Sequence, residues 1–365
     1  MNLARTLENA RRTAPRIAAT YAAAGIAGYA AMTLHIPLPW MMGALFATAA
    51  QALLGWRPRI LPIGRRLGQF TIGIGVGLSF SQDAAASVAS NLPAMTAAAL
   101  LTLGAGALIS FLLVRLTGID RLTAVMSSVP GGPADMANLA ERYGGDPLTV
   151  ALAQTFRIAL IVTVLPPLML LSGVDGHIDA TTLIIPVDLL GLTILAAVAA
   201  AAVGGLTWLG LPNAWFLGAL IAISGLTAGG VRLSGMPFGL IVMAQILLGS
   251  SLGITFDRKF LARSRRLLIG TIVCSVVLLL ACGGIACLLS SVAGLQLASL
   301  IIALAPGGLP EMVLTAKALH LGVPMVTAFH VERVVLTLLL APWIVVIAAK
   351  LTRHRQAAPR LQDAD

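Results

Sequence analysis

Along the chain, apolar runs of 16 to 26 residues alternate with short breaks rich in charge, Pro or Gly. A helix needs about 20 apolar residues to cross a bilayer, so each run reads as one membrane span. The pattern predicts spans near 17–34, 38–56, 67–82, 93–114 and 148–171, then near 189–209, 213–229, 237–255, 267–290 and 324–349. A connector at about 172–187 joins the two sets. Two more segments, 120–144 and 295–320, are apolar enough to enter the bilayer. Each is interrupted by Pro-Gly-Gly, at Pro130-Gly131-Gly132 and at Pro306-Gly307-Gly308, so each either crosses as a discontinuous helix or turns back as a re-entrant one.

Charge chooses between these topologies. With both broken segments re-entrant there are ten crossings, and 20 of the 24 Lys and Arg fall on one side. With both crossing, the division becomes 15 against 7, because the basic stretch Arg258, Lys259, Arg263, Arg265 and Arg266 moves to the other face. Cytoplasmic loops carry the excess of Lys and Arg, so ten crossings with both termini in the cytoplasm of a bacterial inner membrane are expected. Arg57, Arg59, Arg65 and Arg66 read in the same way, as signals of orientation. Composition agrees: 58% of the 365 residues are apolar and 10% charged, which excludes a soluble globule. The net charge of +10 would suit a nucleic-acid partner in a soluble protein, but here it lies in short inter-span clusters, so no nucleic-acid partner is expected.

The two halves repeat one another at an offset of 175 to 176 residues. Trp40 and Gly43 match Trp215 and Gly218, and Gln69, Gly73, Gly77 and Phe80 match Gln245, Gly249, Gly253 and Phe256. The Pro-Gly-Gly breaks follow, then Asp135 with Glu311, Met136 with Met312, Arg157 with Arg333 and Pro166 with Pro342. An odd number of crossings per half inverts the second half relative to the first, which is the construction of many secondary carriers. The expected fold is therefore an all-α polytopic membrane protein of two inverted five-helix repeats. Its expected parts are a cytoplasmic segment 1–16, repeats over 17–171 and 188–350, a periplasmic connector 172–187 and a cytoplasmic tail 351–365.

The duplicated Pro-Gly-Gly-x-x-(Asp/Glu)-Met pattern resembles the Gram-negative AbrB-duplication membrane family over nearly the whole chain. Members of that family are labelled both as regulators of gene expression and as ammonia monooxygenase. The family in turn resembles the cation/proton antiporter and anion transporter superfamily. The resemblance implies an inner-membrane protein with a transport or regulatory role. The copies differ, since Pro133-Ala134-Asp135 in one reads Leu309-Pro310-Glu311 in the other.

Non-helical backbone inside a bilayer survives only where protein or a water-filled cavity satisfies it. Gly131 and Gly132 are expected to supply positive backbone angles for a tight reversal, and the limb after each break to aim a helix N-terminus at an anion. Arg157 and Arg333 lie mid-span, where an unpaired guanidinium costs at least about 2.5 kcal/mol. Two readings stand: Arg157 pairs with Asp135 and Arg333 with Glu311, or the guanidiniums bind a carboxylate or similar anion. The candidate solute-binding set is thus Pro130, Gly131, Gly132, Asp135, Arg157, Pro306, Gly307, Gly308, Glu311 and Arg333. His330, one helical turn before Arg333 and equivalent to Gln154, could relay protons with Glu332, or sit as a hydrogen-bonded interior histidine.

Gly73-x-Gly75-x-Gly77 is read as a close-packing surface, not a nucleotide fingerprint, because no βαβ context surrounds it. Cys274, Cys282 and Cys287 share one apolar run without disulfide or zinc spacing, and read as core filler. The five histidines are scattered, so no catalytic centre, metal or cofactor is expected and copper-dependent ammonia oxidation is disfavoured. The function expected is alternating-access transport of a small anionic solute, coupled to H+ or Na+. The alternative is a membrane-embedded regulator or sensor acting indirectly on gene expression. A homodimer is left open.

Overall fold

The computed structural model describes residues 2–174, 186–256 and 265–356. Arg258, Lys259 and Arg263, the centre of the connector and the tail beyond residue 356 lie outside the described residues. Within the described residues the chain is helical, with fifteen helices. In order they are α1 (Asn2–Thr33), α2 (Pro39–Leu53), α3 (Gly64–Gly77), α4 (Gln82–Ser90), α5 (Leu92–Thr117), α6 (Arg121–Ser128), α7 (Pro133–Tyr143) and α8 (Pro147–Leu171). The second half holds α9 (Leu189–Trp208), α10 (Ala214–Ala228), α11 (Phe238–Gly253), α12 (Arg265–Ala293), α13 (Leu297–Leu304), α14 (Leu309–Ala318) and α15 (Val323–Gln356).

Ten of these fall on the ten expected spans, and α6, α7, α13 and α14 are the limbs of the two broken segments. Among the described residues, five helices are long and apolar enough by themselves to cross a membrane: α5, α8, α9, α12 and the Val323–Leu340 part of α15. By contrast α2, α3, α10 and α11 have only 14 to 16 residues. At 1.5 Å per residue they reach about 21 to 24 Å, short of a core of about 30 Å. The expected spans were longer because they counted apolar residues past the helix ends, such as Leu54 and Trp56 around Gly55, which sits at φ +85°. Two further differences concern length and number. Helix α1 runs from Asn2 through the expected N-terminal segment, and α4 is an unanticipated short helix with no buried residue, capped by the Ser81 hydroxyl on Ala84 N–H. Acidic residues start three others: Asp120, Asp146 and Asp188 accept from backbone N–H groups in the first turns of α6, α8 and α9.

The helices gather into two bundles that each mix both repeats. One joins α1–α3 to α9–α11, and the other joins α5–α8 to α12–α15. Contacts in the first are reciprocal. A Cβ at Gly73 would lie 2.7 Å from the Phe216 carbonyl oxygen, on the α3–α10 face, and one at Gly249 would collide with the Met41 carbonyl on the α11–α2 face. Gly77 against Ile223 and Gly253 against Thr48 repeat the relation, as do Gly218 against Val203 and Gly43 against Gly28. Each pair maps onto its partner at the sequence offset, so the duplicated glycines mark backbone contacts about a pseudo-two-fold axis.

Both broken segments turn back. The Thr123 hydroxyl near the start of α6 accepts from Asp146 N–H beyond the end of α7, at 2.9 Å, and a continuing helix would hold those ends roughly 30 Å apart. In the second repeat Ser299, near the start of α13, is likewise packed against Gly322, beyond the end of α14.

Candidate functional site: the paired breaks and the cavity between the bundles

The first limb of each hairpin ends on backbone carbonyls without helical partners. In the first repeat Gln154 Nε2 donates to the carbonyls of Met126 and Val129 at 2.7 and 2.9 Å. Arg157 Nη1 donates to those of Ser127 and Ser128 at 3.3 and 3.0 Å, and its Nη2 donates to Gln154 Oε1. Arg157 Nε reaches across to the other hairpin, donating to the Pro306 carbonyl at 3.1 Å. In the second repeat Arg333 donates to the carbonyls of Leu304, Ala305 and Gly307 at 3.2, 2.9 and 3.4 Å. Thr337 completes the exchange by donating to the Pro130 carbonyl at 3.1 Å. Both guanidiniums are buried, and their compensation is the negative end of a broken helix. The expected pairs Arg157–Asp135 and Arg333–Glu311 are therefore corrected. The carboxylates belong to the other limb and face the other end of the gap.

Asp135 and Glu311 occupy the third positions of α7 and α14, and each folds back over its N-cap glycine. A Cβ on Gly132 or Gly308 would overlap the carboxylate, and one on Gly307 would lie 2.7 to 2.9 Å from Met312. Gly131 would meet Met136 in the same way. At these glycines any larger residue would displace the methionine or carboxylate side chain folded over it. The positive backbone angles expected of them are not found, since Gly132 and Gly308 have φ of −69° and −74°. The anion-attracting helix ends are covered by their own first-turn carboxylates.

Glu311 is fully buried, with Oε1 3.5 Å from Arg65 Nη2, and Arg65 Nη1 donates to Ser251 Oγ at 3.2 Å. This ion pair joins α14 in one bundle to α3 in the other. His330 is fully buried, and neither ring nitrogen has a hydrogen-bond partner. Glu332 accepts from the Thr96 hydroxyl on α5, so the expected relay of His330 with Glu332 has no hydrogen-bonded path between them.

A cavity of about 570 Å³ lies between the bundles, on the tip of the first hairpin. Its walls are Arg65, Arg66 and Gln69 of α3, Gly132 to Asp135, Thr155 of α8, Ser251 and Thr255, and the loop through Asn213. Of the expected site residues, Gly132 and Asp135 line it, Glu311 borders it through Arg65, and Arg157 and Arg333 stand behind the tips. Pro130 and Pro306 contribute carbonyl acceptors to the junction between hairpins.

Arg65 and Arg66, read as orientation signals, are the cationic residues of the cavity. A usable signal was present: Arg65 stands four residues before Gln69 and so on its face of α3. Asn213 had no such signal, because its place depends on the α9–α10 loop reaching the other bundle.

A family model described as "Transition state regulatory protein AbrB" matches residues 40–349. A Bacillus subtilis (strain 168) protein named "Uncharacterized protein YhjN" is 26% identical over 339 residues, covering 86% of this chain and 88% of its own. An Escherichia coli (strain K12) protein named "Putative regulator AbrB" is 28% identical over 316 residues, covering 85% of this chain and 90% of its own. The match takes in both Pro-Gly-Gly hairpins, Arg157, Arg333 and the α3 arginines, and on that span the chain belongs to the AbrB family.

Proposed function

We propose that the protein is a secondary carrier of the inner membrane, moving a small solute that bears a carboxylate or similar anionic group. The observation that carries this reading is the cavity of about 570 Å³ between two inverted-repeat bundles, walled by Arg65 and Arg66. Its volume suits a small organic solute, and two arginine forks suit an anionic group. The cavity meets the hairpin that enters from the basic, cytoplasmic side, so this is an inward-open arrangement. Relative movement of the bundles would close it and open the mirror-related space at the second hairpin. Asp135 and the amide of Asn213 leave room for a solute that also carries a donor or positive group. H+ or Na+ supplies the driving gradient, and no enzymatic step is assigned.

The regulator names of the family and its relative fit a second, indirect reading, in which solute movement or occupancy changes gene expression. Uptake of radiolabelled organic acids and amino acids into proteoliposomes, under imposed H+ or Na+ gradients, tests the carrier. A charge-assisted hydrogen bond is worth about 1.5 to 3 kcal/mol, so Arg65→Gln and Arg66→Gln should each weaken apparent affinity roughly ten- to hundred-fold. Normal affinity in both variants would reject the site. A wild type that binds solutes but moves none would favour the sensor.

A further inference from the structure

Behind the first hairpin, on the side of Arg157 facing α12, the core bundle holds a second and much smaller cavity of about 10 Å³. It has room for one water-sized particle. Ser127 and Ser128 of α6 and Thr271 of α12 line it, each more than nine-tenths buried, and none of their hydroxyl oxygens has a hydrogen-bond partner. Arg157 forms another wall, with four of its five N–H groups committed to acceptors and one left. Neighbouring Ser275 also lines the cavity, but its hydroxyl is spent on the Thr271 carbonyl.

Three orphaned buried hydroxyls converging on one small space are costly unless something there accepts from them. The charge of that occupant follows from its surroundings. Among the described residues, no carboxylate forms an ion pair with Arg157 or Arg333, whose recorded partners are neutral carbonyls and an amide. A cation beside the Arg157 guanidinium would be repelled. A small anion would accept from the three hydroxyls and the remaining N–H, and would supply the missing counter-charge at membrane depth.

We infer that the cavity between α6, α8 and α12 is a structural site for one monovalent inorganic anion of halide size, held by Ser127, Ser128, Thr271 and Arg157. It is too small for an organic solute, and it stands whether or not the larger cavity carries one.

The test uses the purified full-length protein in detergent. Its unfolding temperature is measured while gluconate is exchanged for chloride or bromide at constant ionic strength, and crystals grown in bromide are searched for anomalous scattering. The expected result is a saturable rise of several degrees with either halide and a bromide peak bounded by the three hydroxyls. Thr271→Val, nearly the same shape but without the hydroxyl, should remove the halide dependence without lowering the unfolding temperature in gluconate. Equal stability in gluconate and halide, or density for a water alone with no bromide signal, would overturn the assignment. So would a Thr271→Val protein with unaltered halide dependence.

Discussion

The arginines at the hairpins and the cavity divide into two kinds, and the division rests on what each guanidinium touches. Arg157 and Arg333 spend their donors on carbonyls that the broken helices leave open, so they hold backbone in place at membrane depth. Arg65 is about one-third exposed and faces a cavity, with a single carboxylate partner. Removing the first kind orphans several buried acceptors at about 1 to 3 kcal/mol each. Arg157→Ala should therefore destabilise the protein by at least about 3 kcal/mol, read as a lower unfolding temperature and poor membrane yield, with Arg157→Lys restoring only part. Arg66→Gln, at an exposed wall of the cavity, should stay within about 1 kcal/mol of wild type while losing solute affinity, whereas Arg65→Gln also strips the buried Glu311 of its cation and should cost stability as well. A well-folded, fully stable Arg157→Ala protein would show that the carbonyl caps contribute little. That Arg157 and Arg333 must be satisfied internally was legible from their position in the spans. Which acceptors satisfy them was not, because the carbonyls of residues 304–307 approach Arg157 and Arg333 only through tertiary packing.

At the scale of elements, helix count and repeat were readable because they depend on local properties. An apolar run of span length forms a helix, and a duplicated Pro-Gly-Gly breaks one at the same point in each half. What escaped was of two kinds: the shortness of α2, α3, α10 and α11 and the separate helix α4, which follow from local stops and caps such as Gly55 and Ser81, and the ion pair between α3 and α14, which only the folded chain brings together. The glycine faces give a direct check on the packing. Gly249→Leu would drive a side chain into the Met41 carbonyl and should prevent accumulation of folded protein, whereas Gly283→Leu, which meets nothing nearby, should be tolerated. Equal yields of the two variants, measured by size-exclusion of detergent extracts, would contradict the α2–α11 contact. Hairpin direction is equally testable. In a cysteine-free background, Arg142→Cys and His320→Cys, on the exposed ends of the two hairpins, should be labelled by an impermeant thiol reagent from opposite faces of the membrane. Labelling from the same face would refute the inversion.

At the scale of the whole molecule, the proposed function rests on two bundles that share both repeats and meet across a continuous apolar core and a few specific bridges. Those seen are the Arg65–Glu311 pair, the loop of Asn213 beside Gly132, and an edge-on stack of Phe156 on Phe256 with ring centroids 5.0 Å apart. A cavity lies open between the bundles at one hairpin, while at the other Glu311 is fully buried. On the proposed carrier reading, that inequality marks one of two interchangeable states of a nearly symmetric molecule, and movement of one bundle against the other exchanges them. The measurement that tests this most directly is solute flux in proteoliposomes carrying Phe156→Cys with Phe256→Cys, the native cysteines replaced, before and after bridging by a short reducible cross-linker. Flux should stop when the bundles are tied and return when the bridge is reduced. Undiminished flux through fully bridged protein would contradict this movement.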